Sequence, residues 1–561
     1  MKAPEEETDP IAVSTELLSS LMEEIPLVQS FKGKWSLIRT KLDDLRSQLA
    51  DFAESPDSAA ASNSLSLDLL RSVAAALGDA VSVAKRCQNP SLADGKLRTQ
   101  SDVDAVLARL DRVVRDGEIL LRSGVLNDNN GASGAVVSNS GSSSRREAVR
   151  TEARNLITRL QIGTYESRNS AMDSLLGLLR EDDKNVMIAV AQGVVPVLVR
   201  LLDSSSSVEM KEKTVAAISR VSIVESSKHV LLAEGLLLLN HLIRVLDSGS
   251  GFSKEKACVA LQALSFSKEN ARAIGSRGGI SSLLEICQAG TPGSQASAAG
   301  VLRNLAAFAE IKENFIEENG ISVLLGLVSS GTALAQENAF RCLCNLVSED
   351  ENLKLLVIKE GGIECLRNFW DSAPSVRSLE VAVDLLSHLA SLPPVAEALC
   401  SDGFVARLVG VLNCGVLGVR IAAARVVHEL GSSSRTRREL GECGCIGPLI
   451  KMLDGKAAEE KEAAAKALST LMLCTVNRKI FRRDDKGIVS AVQLLDPSIQ
   501  NLDKKYPVSI LASLSHSKKC RKPMVAAGAC AYLQKAVEMD VEGSKKLLES
   551  LGRGKIWGVF G

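Results

Sequence analysis

Apolar residues return every three or four positions through most of the chain, and short polar or glycine-rich breaks interrupt them. In residues 10–124 this pattern predicts four amphipathic helices. The first lies near 11–31, with Leu17, Leu18, Leu21, Met22 and Ile25 on one side. The second lies near 35–52, with Leu37, Ile38, Leu42, Leu45 and Leu49 at helical spacing. A break, ESPDSAAASNS, precedes a third near 65–87, and a fourth covers about 102–121. Four helices with short connections predict a small bundle, residues 1–125. Residues 126–145, rich in Gly, Ser and Asn, read as a linker.

From residue 146 to 561 a different rhythm takes over. A small doublet recurs at 193/194, 235/236, 278/279, 319/320, 361/362, 402/403, 444/445, 486/487 and 528/529, so the steps stay between 41 and 43 residues. A period of this length is the mark of a helical repeat array. The first slot is Gly, Asn or Asp everywhere except Lys486. Those three residues best tolerate the left-handed backbone that closes a helix. The second slot is mostly small, and the third is apolar throughout, from Val195 and Leu237 to Ile488 and Cys530. Each doublet is therefore expected to end one helix, turn the chain, and start the next with its apolar face down. A first helix near 269–275, a second near 280–287 and a longer third near 294–308 give the pattern of one unit. About ten such units are expected, the first of them atypical because its outer face meets water.

Two units carry the pattern most fully: GISSLLEI with ASAAGVLRNLA (279–286, 296–306) and NGISVLLGL with ENAFRCLCNLV (319–327, 337–347). Three helices per unit, this period and these motifs resemble the armadillo repeat. The layout is also similar to plant armadillo proteins related to the U-box/armadillo ubiquitin ligases. No Cys-Pro-Ile or Asp-Pro-Val element of a U-box stands between the N-terminal helices and the repeats. The resemblance thus implies an armadillo-only relative: all-α, an N-terminal helical bundle followed by a right-handed armadillo solenoid, without ligase activity of its own.

The family resemblance also implies that third helices line a concave groove, with the asparagine of L-x-N-L facing it. An amide offers both donor and acceptor to a passing peptide bond. That slot reads Gly177, Arg220, Ala263, Asn304, Asn345, His388, Glu429, Thr470, Ser513 and Ser550, so only two asparagines form the expected ladder. One turn earlier, where nuclear-import adaptors of the family hold tryptophan, stand Arg341, Asp384, Arg425 and Lys466, and no tryptophan. The expected partner is a partly acidic extended protein segment, read by Asn304, Asn345, Arg341, Asp384, His388, Arg425, Glu429 and Arg220. A second partner, or self-association, is assigned to the bundle. The alternatives are an accessory role in ubiquitin signalling and a cytoskeletal or trafficking adaptor.

Composition adjusts this picture only slightly. Lys+Arg and Asp+Glu are equal at 67 each and aromatics are 3%, which disfavours nucleic acid as a partner. Residues 415–561 are the exception, with 25 Lys and Arg against 15 Asp and Glu. Thirteen cysteines follow no metal-ligand spacing, and the closest pairs, Cys342/Cys344 and Cys443/Cys445, lie in helical pattern. No metal, cofactor or catalytic constellation is expected. The five histidines form no H-E-x-x-H, and G-x-S-x-G is missing. No apolar run reaches the length of a membrane span. The opening MKAPEEETDP is acidic and has no glycine at position 2, so neither a secretory leader nor N-myristoylation is expected. The implied setting is cytoplasmic or nuclear.

Overall fold

The computed structural model describes residues 9–54, 64–89, 95–123, 125–126, 141–203 and 206–552. The 55–63 break, most of the Gly/Ser/Asn-rich linker, the opening acidic residues and the last nine residues lie outside them. Two compact units divide the chain, 1–264 and 265–561. The divide falls inside the repeat array and not at 126–145.

In the first unit, four helices occupy the predicted places: Pro10–Glu24, Lys32–Glu54, Ser64–Cys87 and Lys96–Ser123. The first packs on the second and third, and the fourth on the second and third. It opens sharply because Asp9 accepts the Ile11 N–H and Pro10 sits where no amide donor is needed. It stops earlier than expected, in a 3-10 turn Ile25–Leu27 containing Pro26. Leu21, Ile38, Leu42, Leu77 and Leu110 form the dry centre with Trp35. Leu37, counted on the apolar stripe from spacing, points outward at 58% exposure. The fourth helix also packs on Gly141–Ile162. That helix begins within the segment assigned to the linker.

The repeat corners explain the doublets. Gly193, Gly278, Asn319, Gly361, Gly444 and Gly528 all have positive φ, between 54° and 101°. At Gly361, φ is 90° and nothing lies within 4 Å of where a Cβ would stand, so conformation alone demands the residue. Gly362 is the reverse case. A Cβ there would meet the Val357 carbonyl oxygen at 2.7 Å and its Cγ1 at 2.6 Å. Gly279 and Gly320 face the same obstruction, from Ile274 and Phe315. One glycine turns the chain and its neighbour lets the following helix press on the end of the preceding one. At the first corner the flanking helices Asp183–Ala191 and Val194–Leu201 meet at 85°.

Three corners depart from the expectation. The left-handed residue is Gly403, since Asp402 has φ −81°. Lys486 stays right-handed, and there the Asp484 carboxylate accepts the N–H groups of Lys486 and Gly487, both at 3.0 Å. A side-chain cap replaces the glycine turn. In the helix Gly235–Ser248 the core falls on Leu238 and Leu239, which leaves Leu237 53% exposed.

The longer third helices stack in sequence. In the first unit Tyr165–Glu181, Val208–Ile223 and Gly251–Leu264 pack consecutively. In the second, Pro292–Leu305, Ala333–Val347, Leu379–Ala390, Leu417–Leu430, Ala458–Leu471, Lys505–Leu514 and Ser544–Gly552 do the same. Their starts are specified locally. Thr291 and Thr332 cap the N–H groups of Ser294 and Ala335, each worth about 1 kcal/mol. Gln295 and Gln336 reach back to the Cys287 and Val328 carbonyls, tying each third helix to the second helix before it. Small residues such as Ala298, Ala299, Ala339, Ala423 and Ala464 are fully buried between neighbours, which explains how short helices stack closely.

Candidate functional site: the face of the third helices

The asparagine ladder exists, but it faces its own neighbours. Asn304 is 6% exposed and donates from Nδ2 to Ser265 Oγ at 2.9 Å. Its Oδ1 accepts from Arg303 at 3.3–3.4 Å. Asn345 donates to the Arg303 carbonyl at 2.9 Å. Arg303 also donates to Asn338 Oδ1 at 3.0 Å, and Asn338 Nδ2 donates to the Ala296 carbonyl at 2.9 Å. Asn304 is therefore spent on stitching repeats together, and half-buried Asn345 is partly so. The expected pair of peptide clasps is corrected accordingly. Buried amides gain more from fixed internal partners than from waiting for a ligand, because an unsatisfied one costs about 1–3 kcal/mol. Burial, then the Arg341 charge, lowers the pKa of Arg303.

The charged positions are more open. Arg341 pairs with Glu337 at 3.1 Å and lies 44% exposed. Both border a cleft of about 540 Å³ whose far wall holds Arg377 and Glu380. Asp384 is half-buried; burial raises its pKa, while Arg425 and Arg341 pull it back. A second cleft of about 440 Å³ gathers His388, Arg425 and Glu429 with Lys354, Lys466, Glu459, Glu462 and Tyr506. Burial lowers the pKa of His388, and the Lys354 charge adds to the shift, so the imidazole is neutral at pH 7. Glu429 stands 3.9 Å from His428 Nε2. Thus Arg341, His388, Arg425 and Glu429 line clefts along one set of stacked helices, with Asp384 on the helix between Arg341 and Arg425. Arg220 belongs to the other unit, where it pairs with Asp183 at 2.5 Å.

Sequence reasoning missed Asn338, Lys354, Glu459, Glu462 and Tyr506. Asn338 had a signal, lying two turns before Asn345 on the same helix face. Lys354 stands one period after Lys312, and in the structure both reach the end of a later third helix. Lys312 donates to the Leu346 carbonyl and Lys354 to Ser391 Oγ, at 2.9 and 2.8 Å.

Four of the thiols are held out of reaction chemistry by burial. Burial pushes Cys287 and Cys445 up to about 12 and raises Cys342 and Cys344 well above the ordinary range. Protonated thiols are poor nucleophiles and poor metal ligands at neutral pH. Among the described residues no group of three or more His, Cys, Asp and Glu side chains is placed to hold a metal ion, and no single helix is long and apolar enough to cross a membrane.

Comparison with known proteins adds three findings. Residues 12–125 match a family model described as a domain of unknown function (DUF7032), and residues 182–223 match the armadillo/beta-catenin-like repeat. Two Arabidopsis thaliana proteins are similar over part of the chain. Protein CELLULOSE SYNTHASE INTERACTIVE 2 is 30% identical over 129 residues, which is 23% of this chain and 6% of that protein. U-box domain-containing protein 10 is 30% identical over 82 residues, 15% of this chain and 13% of that protein. The chain therefore spans only a small part of the length of these curated relatives. A crystal structure of an engineered protein superposes with TM-score 0.63 at 22% identity, covering 72% of this chain and 99% of that one, a likeness of fold.

Proposed function

From the premise that the chain is an armadillo-repeat protein similar to plant members of that family, we propose a non-catalytic interaction scaffold, cytoplasmic or nuclear, that holds an extended protein segment along its third helices. The observation that carries this reading is the pair of clefts lined by Arg341 and by His388, Arg425 and Glu429, with Asp384 on the helix between Arg341 and Arg425. Arg425 makes no hydrogen bond or ion pair among the described residues, and Arg341 has only an exposed one, worth about 0–1 kcal/mol. Such charges are cheap to redirect to a partner. Extended chains suit stacked repeats because each residue advances about 3.3 Å, so about three residues span the roughly 10 Å from one third helix to the next. The N-terminal bundle serves a second partner or self-association in this reading.

Arg341→Glu combined with Arg425→Glu tests it. Capture of partners in a pulldown from the source tissue should be lost while the helical circular dichroism signal and melting temperature stay unchanged. Undiminished capture rejects the groove.

The similarity to a U-box protein over 82 residues supports a second reading, an accessory component of ubiquitin signalling. The purified chain should then support no ubiquitin transfer alone and should co-purify with a ligase. Exposed Lys518, Lys519 and Lys522 support a third, a cytoskeletal or trafficking adaptor. Replacing them should then release the protein from a membrane fraction.

A further inference from the structure

The second cleft holds charge of both signs that does not pair. Elsewhere in this unit opposite charges meet: Arg407 with Asp371 at 2.7 Å, Arg420 with Glu460 at 2.7 Å, Arg438 with Glu442 at 2.8 Å. In the cleft, Lys354, Arg425 and Lys466 form no ion pair with Glu429, Glu459 or Glu462 within 4.0 Å, although all six line the same space. Lys354 is the most telling of them. It is only 8% exposed, yet its ammonium has one hydrogen bond, to Ser391 Oγ, and no carboxylate at ion-pair distance. A buried ammonium without a counter-charge is costly, and it has three donors to satisfy. Neutral His388 beside it offers a further polar contact without adding repulsion to the Lys354 ammonium. Glu459 and Glu462 sit one turn apart on Ala458–Leu471, with Tyr506 alongside. The two carboxylates favour a cation, and the Tyr506 ring already shows that preference, with Lys505 Nζ 5.0 Å from its centroid.

We infer that this cleft reads a bipolar pair on the bound segment: an anionic side chain seated on Lys354 and Arg425, and a Lys or Arg directed at Glu459, Glu462 and Tyr506. The inference rests on the groove reading above and deepens it. The segment is neither simply acidic nor simply basic, and its two charges must fall at a set spacing. Anion and cation compensate each other's cost, since each meets charged groups that have no ion-pair partner of their own. The anionic group is a carboxylate or a phosphoryl group, for both offer oxygens to an ammonium.

The test uses the full chain and fluorescent peptides of about 12 residues on a Gly/Ser background, long enough to span roughly 40 Å. Each carries one Glu and one Lys at varied spacing, with Glu-only, Lys-only, uncharged and phosphoserine/Lys peptides alongside. At one spacing the Glu/Lys peptide should bind at least about tenfold more tightly than either single-charge peptide. The phosphoserine series then distinguishes the two anions, by which binds more tightly. Lys354→Met should erase the advantage of Glu and leave that of Lys. Glu459→Gln with Glu462→Gln should do the opposite, and Lys354→Arg, which retains the charge and guards against a folding defect, should keep the advantage of Glu. Equal binding of Glu/Lys and uncharged peptides, or a Glu advantage that survives Lys354→Met, overturns the inference. Loss of tissue-partner capture in Arg341→Glu, with no bipolar preference among peptides, leaves the groove standing and removes this cleft's role. Retention of capture in the Arg341→Glu/Arg425→Glu protein removes both.

Discussion

Arg303 and Asn338 meet across neighbouring third helices, the guanidinium donating to the amide oxygen at 3.0 Å. Asn338 is 4% exposed and also holds the Ala296 carbonyl. Asn338→Leu keeps the volume but removes the Ala296 carbonyl's side-chain donor and one of the two amide oxygens that hold Arg303. The expected cost is about 1–3 kcal/mol, read as a shift of the urea midpoint. An unchanged midpoint would mean that water replaces the amide.

The two glycines of a corner should answer differently to the same methyl group. Gly361→Ala meets no obstruction and is charged only for its left-handed backbone, about 1–2 kcal/mol. Gly361→Asn should cost less, because Asn319 already occupies the equivalent corner at φ 54°. Gly362→Ala drives a Cβ against the Val357 carbonyl and should cost more than either. Thermal melts of the three variants give the order; a Gly362→Ala protein as stable as Gly361→Asn contradicts it.

Arg420 and Glu460 form the most buried ion pair of the second unit. Glu460 is 4% exposed and Arg420 also donates to the Cys414 carbonyl at 2.8 Å. Glu460→Ala leaves a largely buried guanidinium without its carboxylate, and a loss of about 3–5 kcal/mol is expected. Arg420→Met with Glu460→Leu should recover much of that stability. Denaturant unfolding of the single and double variants measures the recovery.

Stability should fall on mild acidification. His241, His388 and His428 all have pKa values lowered below 6.5, chiefly by burial. Above 6.5 folded and unfolded chains are both neutral at these sites. As pH falls through 6.5 the unfolded chain takes up protons that the folded one refuses, so the melting temperature drops. His388→Gln should flatten that drop. Asp384 works in the other direction at lower pH, because its raised pKa lets the folded state accept a proton first.

The corners were legible because their cause is local. A backbone that must be left-handed selects Gly or Asn wherever it occurs, so periodicity exposed Gly193, Gly278 and Gly361 without knowledge of anything distant. Asp402 misled for the same reason: it tolerates the conformation, but its neighbour Gly403 adopts it more cheaply. The face of the third helices was half legible. Spacing located Arg341, Asp384, His388 and Arg425 on it, but it could not tell a free asparagine from one committed to the next repeat. Asn304 and Ser265 are 39 residues apart, and their bond depends on how two repeats settle against each other. Lys354 was hidden because a lysine in a first helix reads as solvated, and its burial is decided by a helix that begins at Leu379.

The Asn–Arg stitching also sets which pieces of the array can be shuffled. A corner's left-handed turn is fixed locally, so a unit bounded by two corners moves as a module only where no side chain bridges it to the next. The stretch from Ser265 to Asn345 does not, because Asn304, Arg303, Asn338 and Asn345 bind residues one repeat away. Gene-level rearrangement would have to carry these consecutive units as one block, and the same constraint recurs wherever a side chain bridges repeats, as Arg420 does to Glu460 and Asn477 to the Arg437 carbonyl.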